Sequence, residues 1–295
     1  MPIIVKRPTR RMSQAEFGDL AYEVMRTVFA IRDELGRFFD EKIYKRELAH
    51  RFPGVQIEVP VEVSHATFTR LYFLDVLVNE GAVFEFKTVE TLTPRHEAQL
   101  LHYLLLAELP HGKLINLQPE AIKQKFVNTT LHLHDRVRFE IEQSGWDAQV
   151  GAASLFHDVL VALLRDWGTG LDLSLYDDAL VHFLGGEMEA VRDVDVQLGG
   201  HSLGQQKMRL AADGVAFKLT TLQEHLEAFE AHALRLLEHT SLDAILWANI
   251  GRKTVTFKVL RGGGGQKNGG QKHRRDGRAS SPGILVFLSP VFLST

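Results

Sequence analysis

Two apolar runs, residues 71–78 and 82–89, are rich in Val, Leu and Phe and are separated by Asn79-Glu80-Gly81, a pattern that predicts two short strands joined by a turn. A helix is predicted to follow, with Thr93 as its N-cap and Pro94 at its first position. Gln99 and Tyr103, four apart, then share one helix face. Further on, Leu131-His132-Leu133-His134-Asp135-Arg136-Val137-Arg138-Phe139-Glu140 alternates strictly and reads as a strand carrying His132 and His134 on one face, ahead of a linker around residues 145–151. Residues 262–282 are rich in Gly, Gln and basic side chains and lack the apolar content for a core, so a flexible tail is expected there.

Charge changes the picture at the two strands. Glu85 and Lys87 are two apart and therefore share a sheet face with the apolar Val83 and Val89. Charges on a covered face are costly unless paired or bound to metal. Asp75, on the neighbouring strand, offers a second carboxylate, and two hard oxygen ligands with water completing the shell suit Mg²⁺. Lys87 would then hold or polarise an attacking water, or neutralise charge in the transition state. The plain alternative is a solvated outer face on which Asp75, Glu85 and Lys87 are ordinary surface charges. His96, one turn before Gln99, is either a phosphate contact or a capping side chain. His132 and His134 are metal ligands only if further ligands join them; otherwise they lie on an exposed strand face.

The segment Glu85-Phe86-Lys87 through Gln99-Leu100-Leu101-His102-Tyr103-Leu104, together with Leu35-Gly36-Arg37-Phe38-Phe39-Asp40-Glu41-Lys42-Ile43-Tyr44, resembles the GxxExxY family of the PD-(D/E)XK nuclease superfamily. The resemblance covers about residues 16–130. It implies an α/β, restriction-endonuclease-like αβββαβ core: a helix at 16–32, strands near 55–63, 71–78 and 82–89, a helix at 94–107 and a strand at 113–117. It also implies that Asp75, Glu85 and Lys87 form the catalytic triad, that Glu41 is a helix-borne acid near the metal, and that Gln99 and Tyr103 complete the site. The metal set is then Asp75, Glu85 and Glu41, the cofactor Mg²⁺ or Mn²⁺, and His96 a substrate contact. Glu41 and Tyr44 fall on the signature Glu and Tyr, whereas Phe38 stands in place of the signature Gly. Because Phe adopts positive φ only at a cost, a reshaped loop before Glu41 is expected.

Compared with itself, the chain predicts a second copy of this core. Gly81-Ala82-Val83-Phe84 aligns with Gly214-Val215-Ala216-Phe217, Glu97-Ala98 with Glu230-Ala231, Leu101 with Leu234 and Asn116 with Asn249. One residue out of step with these, Tyr44 meets Tyr176 and Leu48 meets Leu180. The apolar pattern of a helix at 153–166, strands near 190–198, 206–212 and 215–221, a helix at 223–238 and a strand at 243–250 repeats the first half in order. In this alignment Met208 faces Asp75, Lys218 faces Glu85, Thr220 faces Lys87, His232 faces Gln99 and Leu173 faces Glu41, so the copy is degenerate and is not expected to bind metal. The competing reading is an unrelated domain with chance matches. The division expected is a basic segment at 1–15, a nuclease-like domain at 16–144, a degenerate copy at 152–260 and a tail at 261–295.

Composition sets the remaining bounds. The 295 residues, 45% hydrophobic, suffice for one large or two ordinary domains, and the net charge of −3 gives no overall pull toward nucleic acid. Zero cysteine excludes disulfides, thiolate zinc sites and Cys nucleophiles. The opening Met1-Pro2-Ile3-Ile4-Val5-Lys6-Arg7 lacks the apolar stretch of a signal peptide, and no run reaches the ~20 apolar residues of a membrane span, so a cytoplasmic protein with no membrane partner is expected. The expected activity is Mg²⁺-dependent hydrolysis of DNA or RNA by a monomer or homodimer, with the second domain available to a protein partner. The alternatives are a non-catalytic binding or scaffold protein descended from a nuclease, and a component of a defence or mobile-element system that acts only with a partner.

Overall fold

Ser13 opens the first long helix by accepting a hydrogen bond from the Glu16 N–H at 3.2 Å, and Gly36, at φ 76°, ends it. Between them Phe17, Ala21, Val24, Met25, Val28 and Ile31 recur at three- and four-residue spacing and are buried. The computed structural model describes residues 2–262. In chain order the first half runs β1 (Ile3–Val5), α1 (Gln14–Leu35), α2 (Glu41–Arg51), β2 (Val55–His65), β3 (Phe68–Val78), β4 (Ala82–Lys87), α3 (Pro94–Ala107), β5 (His111–Asn116) and β6 (Lys123–Asn128). A short connection holds α4 (Leu133–Arg136) and β7 (Glu140–Glu142). The second half runs α5 (Ala153–Trp167), α6 (Leu173–Phe183), α7 (Glu187–Ala190), β8 (Val191–Leu198), β9 (His201–Ala212), β10 (Val215–Thr220), α8 (Leu226–Glu238), β11 (Ala244–Ile250) and β12 (Thr254–Arg261). Among the described residues no helix is long and apolar enough to cross a membrane.

The strands form two six-stranded sheets, ordered β1-β2-β3-β4-β5-β6 and β7-β12-β11-β10-β9-β8. In the first, β4 and β5 are parallel and the other neighbours antiparallel; α3 is the crossover that a parallel pair requires. In the second, β10 and β11 are parallel with α8 between them, as β12 and β7 are, while β8–β9, β9–β10 and β11–β12 are antiparallel. The halves also share individual bonds. Tyr44 Oη donates to the Gly36 carbonyl and Tyr176 Oη to the Gly168 carbonyl. The Asn116 side chain clasps both backbone groups of Val89, and the Asn249 side chain clasps those of Leu222.

Helices α1 and α2 cover one face of the first sheet, against Val76, Phe84, Phe86 and Ile115. Leu100 and Leu104 of α3 cover the other face, in a core continuous with Trp167, Leu175 and Phe257 of the second half. Trp167 donates its indole N–H to the Ser64 carbonyl at 3.0 Å, and Arg70 reaches Asp178 across the same junction. Arg136, 1% exposed, donates to the carbonyls of Trp167, Thr169 and Leu105 at 2.9, 3.0 and 3.0 Å. Three backbone oxygens offset part of the cost of burying this charge, while the buried Nε has no hydrogen-bond partner.

Four expectations change. Strand β4 stops at Lys87 rather than residue 89. The alternating stretch at 131–140 is no strand: it turns through α4 and contributes only Glu140–Glu142 as β7, because Arg136 is drawn inward to the three carbonyls. His132 and His134 stack there, ring centroids 5.1 Å apart, with His132 Nδ1 2.7 Å from Arg11. The basic opening segment is partly structural, since Ile3–Val5 pairs with β2. Finally, Phe38 is 87% exposed and does not take positive φ; Gly36 makes the turn between α1 and α2. The tail expected over 261–295 lies outside the described residues from 263 onward.

Candidate active site

Strand pairing brings the charged residues together. Val76 pairs with Phe84 and Val78 with Ala82, so Asp75 and Glu85 stand near each other on adjacent strands. Asn79 and Glu80 absorb the tight turn at φ 47° and 62°. Gly81 is needed for a different reason: a Cβ there would lie 2.6 Å from the Arg10 carbonyl oxygen.

The solvated-face alternative does not hold. Glu85 is 1% exposed, and the side chains of Asp75 and Lys87 are 15% and 13% exposed. Glu85 Oε1 accepts from Lys87 Nζ at 2.7 Å, while Glu85 Oε2 is buried with no hydrogen-bond partner. Burial, and then the facing Asp75, push the Glu85 carboxyl up to about 8 despite the pull of Lys87. Burial alone would lower Lys87, but Glu85 outweighs it and holds the ammonium above the ordinary lysine value. Asp75 Oδ2 accepts from the Phe86 N–H at 3.1 Å. From the first turn of α2, Glu41 accepts from the Thr88 N–H at 3.1 Å, just beyond the end of β4. Burial raises the Glu41 carboxyl, against the pull of Lys87.

The helix α3 lies beside this cluster. Gln99 Nε2 donates to Tyr103 Oη at 3.0 Å, and the Tyr103 hydroxyl is raised by burial and by the charges of Glu85 and Asp75. His96 closes the helix start: its Nδ1 accepts from the Thr93 N–H at 3.0 Å, which makes it a capping side chain. Burial, Lys87 and Arg95 hold its imidazole below the ordinary value.

Two further residues join the cluster that sequence reasoning did not single out. Lys45, 5% exposed and one turn after Glu41 on α2, donates to Asp75 Oδ1 at 3.0 Å and also to Glu58 Oε1. The spacing of Glu41 and Lys45 was a usable signal, since residues four apart share a helix face. Glu58 gave a second signal, an acid inside the apolar run Val55-Gln56-Ile57-Glu58-Val59.

Among the described residues, no three His, Cys, Asp or Glu side chains stand arranged as a ready metal cage. The donor types nevertheless suit a hard divalent cation: Glu41, Asp75 and Glu85 are oxygen donors, the charge of Asp75 raises both glutamate carboxyls, and one buried carboxylate oxygen has no partner. Lys45 and Lys87 supply part of the positive charge that such a cluster requires.

In comparisons with known proteins, no curated protein matches the chain. The crystal structure of SSO0001 aligns at 20% identity over 43% of this chain and 70% of that chain, with a TM-score of 0.26, and that likeness carries no argument about this protein. Residues 18–129, the stretch that holds every side chain of this cluster, match the family model of the PD-(D/E)XK nuclease superfamily.

Proposed function

We propose that the first half of the chain is a Mg²⁺- or Mn²⁺-dependent nuclease domain of the GxxExxY kind. The observation that carries the reading is the buried Glu85 Oε2, left without a partner beside Asp75 and Lys87 in the stretch that matches this superfamily. A polar oxygen in that state is costly, and cation binding compensates it. In this reading Asp75 and Glu85 hold the cation and Glu41 assists from α2. The bound cation would supply Lewis-acid stabilisation of the phosphoryl oxygens and lower the pKa of a bound water.

The protein's own groups then divide the remaining work. Lys87, anchored on Glu85, presents its ammonium where negative charge grows on the phosphorus oxygens and orients the attacking water. Gln99 and Tyr103 form a bonded pair on α3 that walls the site and offers an amide and a hydroxyl to the phosphate. His96 has Nδ1 committed to the helix cap, and in this reading its Nε2 would contact substrate. The substrate is the phosphodiester backbone of DNA or RNA.

The second half is, in this account, a degenerate copy of the first. The shared strand order, the parallel pair bridged by a helix and the matched Tyr and Asn bonds support a duplication. At the position of Glu85 it carries Lys218, and β10 pairs Lys218 with Trp247 as β4 pairs Glu85 with Leu114. It would serve as the internal partner of the active half, or as a surface for another protein. Mn²⁺ titration by calorimetry tests the site: the wild-type chain should bind, and Asp75→Asn and Glu85→Gln should each abolish binding. Unchanged affinity in both variants would refute the assignment.

A further inference from the structure

Lys45 is in an unusual position for a lysine. It is 5% exposed, lies against Asp75 Oδ1 at 3.0 Å, and is bonded at the same time to Glu58. Both oxygens of Asp75 thereby carry a hydrogen bond, one from Lys45 and the other from the Phe86 N–H. A divalent ion approaching Asp75 meets a positive charge already seated there, and like charges at contact repel strongly in a partly buried site. The two acids holding Lys45 differ, however. The Asp75 side chain is 15% exposed and belongs to the buried cluster, whereas the Glu58 side chain is 51% exposed at its rim.

The backbone is bent to place Glu58 there. Strands β2 and β3 pair Ile57 with Val76 and Val59 with Leu74, and Glu58 between these pairs stands at φ 51°, directly across from Asp75. A non-glycine residue at positive φ inside a strand is strained, and strain of that kind persists only where the surroundings impose it. Here the distortion sets a second carboxylate on Lys45, beside the first.

We infer that Glu58 and Lys45 form a cation hand-off: Lys45 neutralises Asp75 until a divalent ion binds, and Glu58 then retains the Lys45 ammonium so that Asp75 is free to ligate. Lys45 and Glu58 are positioning residues in this scheme, not ligands. The inference rests on the metal reading of Asp75 and Glu85. It makes Glu58 matter to metal affinity through Lys45, and this separates it from a general effect of one more negative charge near the site.

The test is a double-mutant cycle on the full chain, with Mn²⁺ as the probe and calorimetry as the readout at fixed pH and ionic strength. Glu58→Gln should weaken Mn²⁺ binding by about tenfold, because Lys45 then has only Asp75. Lys45→Met should bind at least as tightly as wild type. In the Lys45→Met background, Glu58→Gln should change affinity by less than about twofold. Circular dichroism and thermal melting establish that each variant is folded, and Lys45→Gln replaces Lys45→Met if the latter is not. An equal loss from Glu58→Gln in both backgrounds would show a simple charge effect and overturn the hand-off, as would no loss in either. Wild-type binding with no coupling refutes the hand-off alone; absence of Mn²⁺ binding in all the proteins refutes the metal site and the hand-off together.

Discussion

Replacing Glu85 by Gln should flatten the pH dependence of the protein's stability. Glu85 is 1% exposed, with one oxygen on Lys87 and the other without a partner. Its carboxyl is raised from 4.5 to about 8, first by burial and then by Asp75. The sign follows from proton linkage. With the folded-state value above the unfolded one, the folded chain binds the proton more tightly; the contribution is fully present below about pH 4.5 and is lost as pH rises through about 8. At about 1.4 kcal/mol per tenfold change, the full rise corresponds to a loss on the order of 5 kcal/mol across that window. Gln keeps the shape and an oxygen for Lys87 but carries no proton to lose. Urea denaturation in EDTA from about pH 5 to about pH 9 should therefore show wild-type stability falling by several kcal/mol while the variant changes little. The two curves should cross, with the variant the more stable at high pH. Added Mn²⁺ should restore the wild type and leave the variant unmoved. Parallel curves for the two proteins would refute the claim that Glu85 is an uncompensated buried acid.

Three other outcomes are expected. Arg136→Met should destabilise the chain by about 3 kcal/mol in urea denaturation, because the carbonyls of Trp167, Thr169 and Leu105 lose their buried donor; a change below about 0.5 kcal/mol would contradict this. Tyr44→Phe and Tyr176→Phe should each cost about 1 kcal/mol, since each removes a hydroxyl bonded to the glycine carbonyl that ends the preceding helix; a marked cost in one half only would count against equivalent roles. Lys218→Glu should create neither Mn²⁺ binding nor cleavage in the second half, because under the proposed duplication Met208 and Thr220 would still stand in place of Asp75 and Lys87. Gain of either, in a chain carrying Asp75→Asn, would contradict that correspondence.

Local patterning made much of the first half legible. The apolar run at 71–78 lies within β3, the run at 82–89 matches β4 as far as Lys87, and Thr93 and Pro94 cap and open α3. Asp75, Glu85 and Lys87 were readable because charged residues interrupted runs that were otherwise apolar. Their burial was not readable, since alternation alone does not say which face is covered; α3 and the second half decide that. Lys45 and Glu58 escaped for a related reason. Each carries a local signal, the four-residue spacing from Glu41 and an acid inside an apolar run, but neither names a partner; the kink at Glu58 and the packing of α2 bring them onto Asp75. The stretch at 131–140 misled because its alternation is real, yet Arg136 finds three backbone carbonyls and turns the chain inward. Tertiary hydrogen bonds of this size override a period-two pattern.

The central claim, that the cluster around Asp75, Glu85 and Lys87 hydrolyses phosphodiesters, is tested most directly by a cleavage assay. Full-length protein is incubated with single- and double-stranded DNA and RNA in Mg²⁺ or Mn²⁺, beside Lys87→Ala. The account predicts metal-dependent cleavage of at least one substrate by the wild type, and a loss of about 10² or more in the variant with Mn²⁺ binding retained. Equal cleavage by the two proteins, or none by a wild type that is folded and binds Mn²⁺, would contradict it.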